Sequence, residues 1–386
     1  MQNLLLVALG LVAGAVLLAR IPTVGVAGRP AGAPAGAGPP GDRPAAPVPP
    51  TVSIVVPARN EAATLPVLLA SLARLDPAPH EVIVVDDAST DGTAAVAAAH
   101  RVVVVTSDPP PGWAGKPWAC HVGATTASGS HLLFLDADTR LAPDALARLL
   151  AEHDAGGGLV SVEPRHVTER GYEQLSAFFN VTAMMGTGAF APGRGGRGSM
   201  AFGPCLVTTA ADYRAVGGHA AVAGEVVEDV HLARRYRTHG LPVRCLGGGD
   251  AVAFRMYPGG VRQLVEGWTK NIAAGAGLSP RWALAGSIAW VSSCVAVALV
   301  GVRAGLAWAA GGGAPIVPAL AWAVVAVELR WMLARLGSWR WWTPWLFPVP
   351  LVAFLAVFAR SLAVTLVRGE VTWRDRRVPV GARPGR

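Results

Sequence analysis

Charge is scarce in this chain: Asp, Glu, Lys and Arg supply only 15% of its 386 residues, whereas 52% are hydrophobic. That balance excludes an ordinary soluble enzyme and leaves room for one large domain plus membrane elements. Cysteine is sparse as well. Cys120, Cys205, Cys245 and Cys294 show no paired or zinc-like spacing, so neither a disulfide framework nor a cysteine zinc site is expected. No Gly-X-Gly-X-X-Gly follows a strand-like run, which disfavours a dinucleotide-binding fold. A Walker A motif is missing too, because Pro117 stands where a hydroxyl residue would follow Gly115-Lys116. No internal repeat is evident. The net charge of +8 does not indicate nucleic acid, since much of it flanks apolar segments and fills the tail, where anionic lipid headgroups are the simpler partner.

What the chain does have is apolar length. Residues 4–21 carry one charge, Arg20, and about 18 residues is near the lower limit for a membrane helix. A signal peptide is the competing reading; the absence of Lys or Arg before this segment and of a convincing cleavage site favours an uncleaved anchor over 1–24. Residues 25–50 are Pro/Gly/Ala-rich and read as a tether. A catalytic domain is expected over 51–271, a membrane region over 272–367 and a basic tail over 368–386. Within the membrane region, 283–302, 316–327 with some extension, and 345–367 are apolar runs. Trp331, Trp339, Trp341, Trp342 and Trp345 cluster as at a membrane interface. Arg20, Arg29 and Arg43 after the first run place the domain on the cytoplasmic side of the cell membrane, but three full crossings would then leave the basic tail outside. Either the Pro-interrupted last run does not cross or the helix count is off by one.

The strongest chemical signal is 132–141, an apolar strand-like run that stops at Asp136-Ala137-Asp138. Carboxylates at the C-terminal end of a buried strand emerge where open α/β sheets bind ligands, and two can hold Mg²⁺ or Mn²⁺ on a substrate phosphate. An exposed loop is the bland alternative. Two more β-branched runs lie upstream: 52–57 leads into Ala58-Arg59-Asn60-Glu61 and a helix-like 62–72, and 82–85 ends in Asp86-Asp87. Strand, helix and strand recur at the spacing of βαβ units. Ser89 or Asp91 could cap the next helix, yet the Asp86-Asp87 pair precedes the cap and could accept from a base or ribose. Lys116, at a helix start, reads equally as a phosphate contact or a solvated lysine. Trp113 and Trp118 either pack or stack on a sugar, and ordinary polar contacts are expected of His219 and His231. Residues 193–199, glycine-rich with two arginines, lie between a helix-like 172–185 and a strand-like 200–207. They read as an acceptor-side or donor-closing loop, or as a variable surface loop.

Taken in order, Val-Pro-Ala-Arg-Asn-Glu at 56–61, the acidic run at 85–93, Asp136-Ala137-Asp138 and Glu228-Asp229 resemble a family 2 glycosyltransferase of GT-A fold over roughly 51–271. The stretches at 112–117, 202–205, 217–219 and 267–271 are similar to a branch with carotenoid (diaponeurosporenoate-type) and hopanoid-associated members. The resemblance implies an α/β fold, a GT-A nucleotide-diphospho-sugar transferase domain with a mostly parallel mixed sheet, flanked by transmembrane helices. It implies that Asp86 and Asp87 contact the donor nucleoside in a pocket lined by Pro57, Ala58 and Glu61. Asp136 and Asp138 would hold Mg²⁺ or Mn²⁺ on the diphosphate, with Lys116 and Asp136 on the donor. Asp229 matches the catalytic base, with Glu228 beside it, and Trp268 and Lys270 would lie on the acceptor side. The processive signature Gln-X-X-Arg-Trp is absent: Gln263 and Trp268 are one residue too far apart and no Arg precedes the Trp. Transfer of a single sugar, from a donor expected to be a UDP-sugar, is therefore favoured over polymer synthesis.

The chemistry agrees. Displacement at an anomeric carbon builds negative charge on the departing diphosphate, which a metal stabilises, and a hydroxyl acceptor needs a carboxylate to take its proton. The expected activity is a metal-dependent, inverting hexosyl transfer to a terpenoid or carotenoid-like membrane lipid. A polyisoprenyl phosphate comes second as acceptor and a growing polysaccharide third. A non-catalytic membrane scaffold with a degenerate nucleotide-binding domain is the different-class alternative, opposed by the intact acids at 86, 87, 136, 138 and 229.

Overall fold

The computed structural model describes residues 2–25, 50–100, 102–198, 200–225, 227–367, 370–373 and 376–379. The expected tether, apart from its end residues, and the part of the basic tail outside 370–373 and 376–379 lie outside the described residues. The chain opens with α1 (Gln2–Leu17), then forms β1 (Val52–Ala58), α2 (Leu65–Leu72), β2 (Glu81–Asp86), α3 (Thr93–Ala98), β3 (Val103–Thr106), α4 (Gly115–Thr126) and β4 (His131–Leu135). Next come β5 (Thr139–Leu141), α5 (Ala145–Gly156), β6 (Leu159–Glu163), β7 (Arg165–His166), α6 (Ala177–Gly186), β8 (Cys205–Thr209), α7 (Ala210–Ala215), α8 (Glu228–Thr238), β9 (Val243–Gly247) and β10 (Val252–Phe254). Four longer helices follow, α9 (Val261–Leu278), α10 (Arg281–Ala309), α11 (Ile316–Leu336) and α12 (Pro348–Val367), and then a hairpin of β11 (Glu370–Trp373) and β12 (Arg376–Pro379).

Seven strands form the main sheet in the order β3-β2-β1-β4-β8-β6-β9. It is parallel except for β8, which runs against both β4 and β6. This is the mostly parallel mixed sheet of an α/β domain. β1 and β4 are almost wholly buried because helices cover both faces, which is why they read as unbroken apolar runs. After β1 the chain winds outward through β2 and β3, then returns to place β4 on the other side of β1. The reversal leaves a crevice at the C-terminal strand ends, where open sheets bind ligands. A small second sheet, β5-β10-β7, flanks that end.

Three helices, α10, α11 and α12, are long and apolar enough to cross a membrane, with mean hydropathies of 2.0, 1.7 and 1.8. The N-terminal run is shorter than expected. α1 has 16 residues, so it spans about 24 Å, less than a hydrocarbon core of about 30 Å. The chain leaves it to join the catalytic domain: Arg20 N donates to Phe190 O at 3.1 Å and Val24 N to Gly247 O at 3.0 Å. α1 packs along α10, and Trp290 Nε1 of α10 donates to Glu328 of α11 at 3.3 Å. Two other boundaries moved for local reasons. α2 begins at Leu65 instead of 62 because a turn closes on Glu61 O, and β8 begins at Cys205 because 200–204 lines the crevice.

Candidate active site

Each acid expected at the site sits at a strand end or helix start. β1 and β2 pair so that Ala58 lies opposite Asp86, which puts Pro57, Ala58, Asp86 and Asp87 side by side at the sheet's C-terminal edge. Asp86 and Asp87 are each 4% exposed. The loop around them is tightly wired: Asp87 N donates to Ala58 O at 2.8 Å, Arg59 donates to the carbonyls of Asp87 and Ala88, and Ser89 N donates to Asp86 Oδ1 at 3.4 Å. Glu61 stands at the mouth, its N donating to Thr93 Oγ1 at 2.8 Å and its carboxylate accepting from Thr64. Neither expected residue takes the N-cap of α3, which is Gly92: Asp91 precedes it and its Oδ1 accepts from Thr93 N at 2.9 Å, while Ser89 accepts from Asn60 N at 3.0 Å.

β4 ends at Leu135 and the next three residues carry Asp136 and Asp138, with Asp136 N anchored to Pro204 O at 3.0 Å. Lys116, at the start of α4, bridges this acid to the other side of the crevice: its Nζ is 2.7 Å from Asp136 Oδ1 and 3.1 Å from Glu228 Oε1. Without a ligand it is thus neither a solvated lysine nor aimed at open space. Burial alone would lower the Lys116 pKa, but Asp136 and then Glu228 outweigh it and hold the ammonium well above the usual lysine range. Glu228 and Asp229 open α8, where a helix N-terminus favours negative charge. Even so, burial and then Glu228 push the Asp229 carboxyl up to about 7, against the pull of Lys116.

Gly203 explains why 202–205 reads as a motif. A β-carbon there would lie 3.0 Å from Lys116 Nζ and 3.1 Å from Asp229 Oδ2, so any side chain would crowd the two charged ends. One acid was not singled out from the sequence. Glu163 ends β6 much as Asp136 follows β4, and burial, then Asp229, Asp138 and Asp136, raise its carboxyl to about 8. The signal was present: 159–163 is an apolar run closing on a carboxylate. Carboxylate oxygens are hard donors of the kind that suits Mg²⁺ or Mn²⁺, although the group whose ligand atoms lie within 4.8 Å of one another among the described residues is a different one, His131, His153 and Asp154.

Lys116, Asp136, Glu163, Glu228 and Asp229 line the polar end of a cavity of about 440 Å³. The rest of its lining is largely apolar, with a few hydroxyls such as Thr182 and Ser287, and the C-terminal helices contribute Ile272, Leu284, Ile288, Val291, Phe354 and Phe358. Trp268 and Lys270 of α9 line the same cavity. Trp268 is held rigidly, stacked on Phe179 at 4.8 Å with Nε1 donating to Ser176 Oγ at 3.0 Å. Burial lowers the Lys270 pKa, partly offset by Glu228. Pro57, Ala58, Glu61, Asp86 and Asp87, and also Asp138, lie outside this lining.

The remaining motifs resolve plainly. Trp113 and Trp118 pack edge to face at 4.9 Å, and Trp118 Nε1 donates to Ser107 Oγ at 2.7 Å. His219 is buried against the Tyr213 hydroxyl at 2.8 Å, and burial followed by Lys116 lowers it to about 3; His231 lies 3.4 Å from Glu225. Residues 193–198 lie at the far edge of the sheet from β1 and β2. Their backbone is tied to β9, which forms that edge, with Cys245 N donating to Gly196 O at 2.7 Å.

Comparison with known proteins bears on this geometry. The model of Glycosyl transferase family 2 matches residues 53–186, which include Glu61, Asp86, Asp87, Asp136, Asp138 and Glu163 but not Glu228 or Asp229. A 4,4'-diaponeurosporenoate glycosyltransferase of Staphylococcus aureus (strain MRSA252) is 34% identical over 336 residues, covering 85% of this chain and 88% of its own. The chain belongs to glycosyl transferase family 2. The sequence of the S. aureus (strain USA300) relative is 33% identical over the same share of this chain. Among solved structures, a mannosyltransferase from Pyrobaculum calidifontis in complex with GDP-Man and Mn²⁺ overlays with a TM-score of 0.52 at 19% identity, covering 83% of this chain and 88% of its own. That likeness extends the GT-A fold across most of the family 2 chain.

Proposed function

We propose that this glycosyltransferase moves a single sugar from a nucleotide-sugar donor to an oxygen on a long apolar, terpenoid or carotenoid-like lipid, with inversion at the anomeric carbon. One observation carries the reading: a single cavity runs from the acid cluster of the GT-A sheet to an apolar wall built from α9, α10 and α12. A sugar acceptor would need polar walls, whereas this lining suits a chain that arrives from the bilayer and ends among Asp229, Lys116 and Lys270. The name of the S. aureus relative, with its carotenoid acid, supports the same class of acceptor. The donor nucleoside lies against Asp86 and Asp87, with Pro57, Ala58 and Glu61 around it, and a UDP-sugar is the donor proposed. The domain faces the cytoplasm, where nucleotide sugars are made, held at the cell membrane by its apolar helices.

The reaction needs three things from this chain. Asp136 and Asp138, with Glu163 nearby, would hold a divalent cation, which suits their hard carboxylate oxygens; Glu163 lies close enough to both for them to add to the effect of burial and Asp229 in raising its carboxyl. Once bound, Mg²⁺ or Mn²⁺ would stabilise charge on the departing diphosphate. Lys116 turns from its carboxylates to the donor phosphates, releasing Asp136 and Glu228. Asp229 takes the proton of a hydroxyl acceptor as its oxygen bonds to the anomeric carbon and the bond to the diphosphate breaks, an assistance worth about 10²- to 10⁴-fold. Glu228 keeps that base poised. Trp268 and Lys270 orient the acceptor end group. The test is transfer by the purified full-length protein from UDP-glucose to a carotenoid acid or alcohol in detergent, beside a polyisoprenyl phosphate. Product with the carotenoid supports the reading; product with the phosphate alone, or donor binding without transfer to any lipid, overturns it.

A further inference from the structure

A second cavity, of about 530 Å³, lies on the other side of Thr187 from the acceptor cavity. Arg194 and Arg197 of the β9-tied loop and Arg237 of α8 line it, together with Trp282. No carboxylate is among its lining residues, and none of the three guanidiniums is in an ion pair among the described residues. Three like charges facing one hollow without a counter-charge repel each other, a cost retained for no structural return. Their side chains are exposed, so they are available to a ligand.

The position of this hollow identifies what it meets. Trp282 is the second residue of α10, the first of the helices long enough to cross a membrane, so the cavity sits at the mouth of that span. Tryptophan concentrates at headgroup level, and here the Arg194 guanidinium lies 5.3 Å from the Trp282 ring centre. Gly188 seats that ring: a β-carbon there would lie 2.6 Å from Trp282 Cζ2, and its φ of +63° is one that favours glycine. Arg237 sits in the last turn of α8, whose first turn carries Glu228 and Asp229, so its backbone is about 12 Å along the helix from that of the proposed base. The hollow is a separate site.

We infer that Arg194, Arg197 and Arg237 bind the phosphate of an anionic phospholipid headgroup at the membrane surface beside the acceptor's entrance. Guanidiniums match phosphate oxygens in bidentate pairs, and basic hollows at the cytoplasmic ends of membrane helices suit acidic headgroups. The inference goes beyond the transfer reaction and rests on α10 crossing the bilayer.

The experiment uses the full chain in phosphatidylcholine vesicles with and without phosphatidylglycerol, reading lipid retained after detergent extraction by native mass spectrometry. Wild type should retain phosphatidylglycerol, and the combined variant R194Q/R197Q/R237Q should retain about tenfold less or lower still. A variant with equal charge loss elsewhere, R74Q/R214Q/R234Q, should match wild type. Should the triple variant fail to fold, R194Q and R237Q read singly should each lose about threefold. Equal retention by wild type and the cavity variants, or the same loss from the control set, overturns the inference. Inorganic phosphate separates the sources: displacement of the lipid by millimolar phosphate would reassign the site to a soluble anion. Transfer measured in phosphatidylcholine alone should survive the cavity substitutions, so a loss of headgroup binding is distinguishable from a failure of the proposed reaction.

Discussion

Replacing Lys116 by Met tests what holds the acid cluster together. The lysine sits between two acids, 2.7 Å from Asp136 and 3.1 Å from Glu228, and Glu228 is the buried member with a side chain only 7% exposed. Asp136, at 28%, can fall back on water. Removing one partner of a buried pair costs about 3–5 kcal/mol, because the other charge is left uncompensated. With one buried acid orphaned and one half-exposed, the lower end applies, about 3 kcal/mol for the cation-free protein at neutral pH. For a cooperative unit the size of the expected catalytic domain, about 220 residues, each kcal/mol moves the midpoint by about 2–4 °C, so Lys116→Met should melt roughly 6–12 °C lower in the presence of EDTA. Two additions should recover most of the loss. Glu228→Gln in the same chain removes the orphan, and Mn²⁺ supplies a replacement positive charge. A Lys116→Met midpoint within about 2 °C of wild type would refute the reasoning, as would no rescue from Glu228→Gln.

Three further outcomes are expected. Asp138→Ala should lower transfer by orders of magnitude while leaving the melting midpoint nearly unchanged, and EDTA should do the same to wild type; full activity in excess EDTA contradicts the metal. Asp229→Asn should keep donor binding, measured by titration with nucleotide, yet lose about 10²-fold or more in transfer to a hydroxyl. With an acceptor already ionised at pH 7 the same variant should lose little, since no proton has to leave. Glu163 sets a pH dependence in the cation-free protein. Burial and neighbouring acids raise its carboxyl to about 8 in the fold, so its contribution is full below the unfolded value near 4.5 and fades as pH climbs toward 8. Melting midpoints in EDTA should therefore fall from about pH 5 to about pH 8, and Glu163→Gln should flatten that slope.

Much of this site could be read before any coordinates. The acids of 85–93 and 136–138 sit at the ends of β2 and β4 because buried parallel strands are apolar throughout and change character abruptly where they emerge. Family resemblance then supplied Asp229, which no local pattern distinguishes from a helix cap. Glu163 escaped because one carboxylate after five apolar residues is too common a pattern to stand out. The acceptor cavity escaped for a different reason: Met256, Ile288 and Phe358 line it from three separate stretches, and nothing in a linear sequence shows which face of an apolar helix looks inward. The bond of Lys116 to Asp136 and Glu228 likewise needs three distant segments to meet. At the N-terminus hydropathy marked 18 residues, but α1 stops at Leu17 because 19–25 joins the catalytic domain.

The central claim, that sugar passes to a long apolar lipid, is tested most directly by mass spectrometry of lipids extracted from a carotenoid-producing host expressing wild type or Asp138→Ala. The account expects a terpenoid species one hexose heavier with wild type and its absence with the variant. Identical lipid profiles from the two, or hexose found only on a soluble or polymeric product, would contradict it.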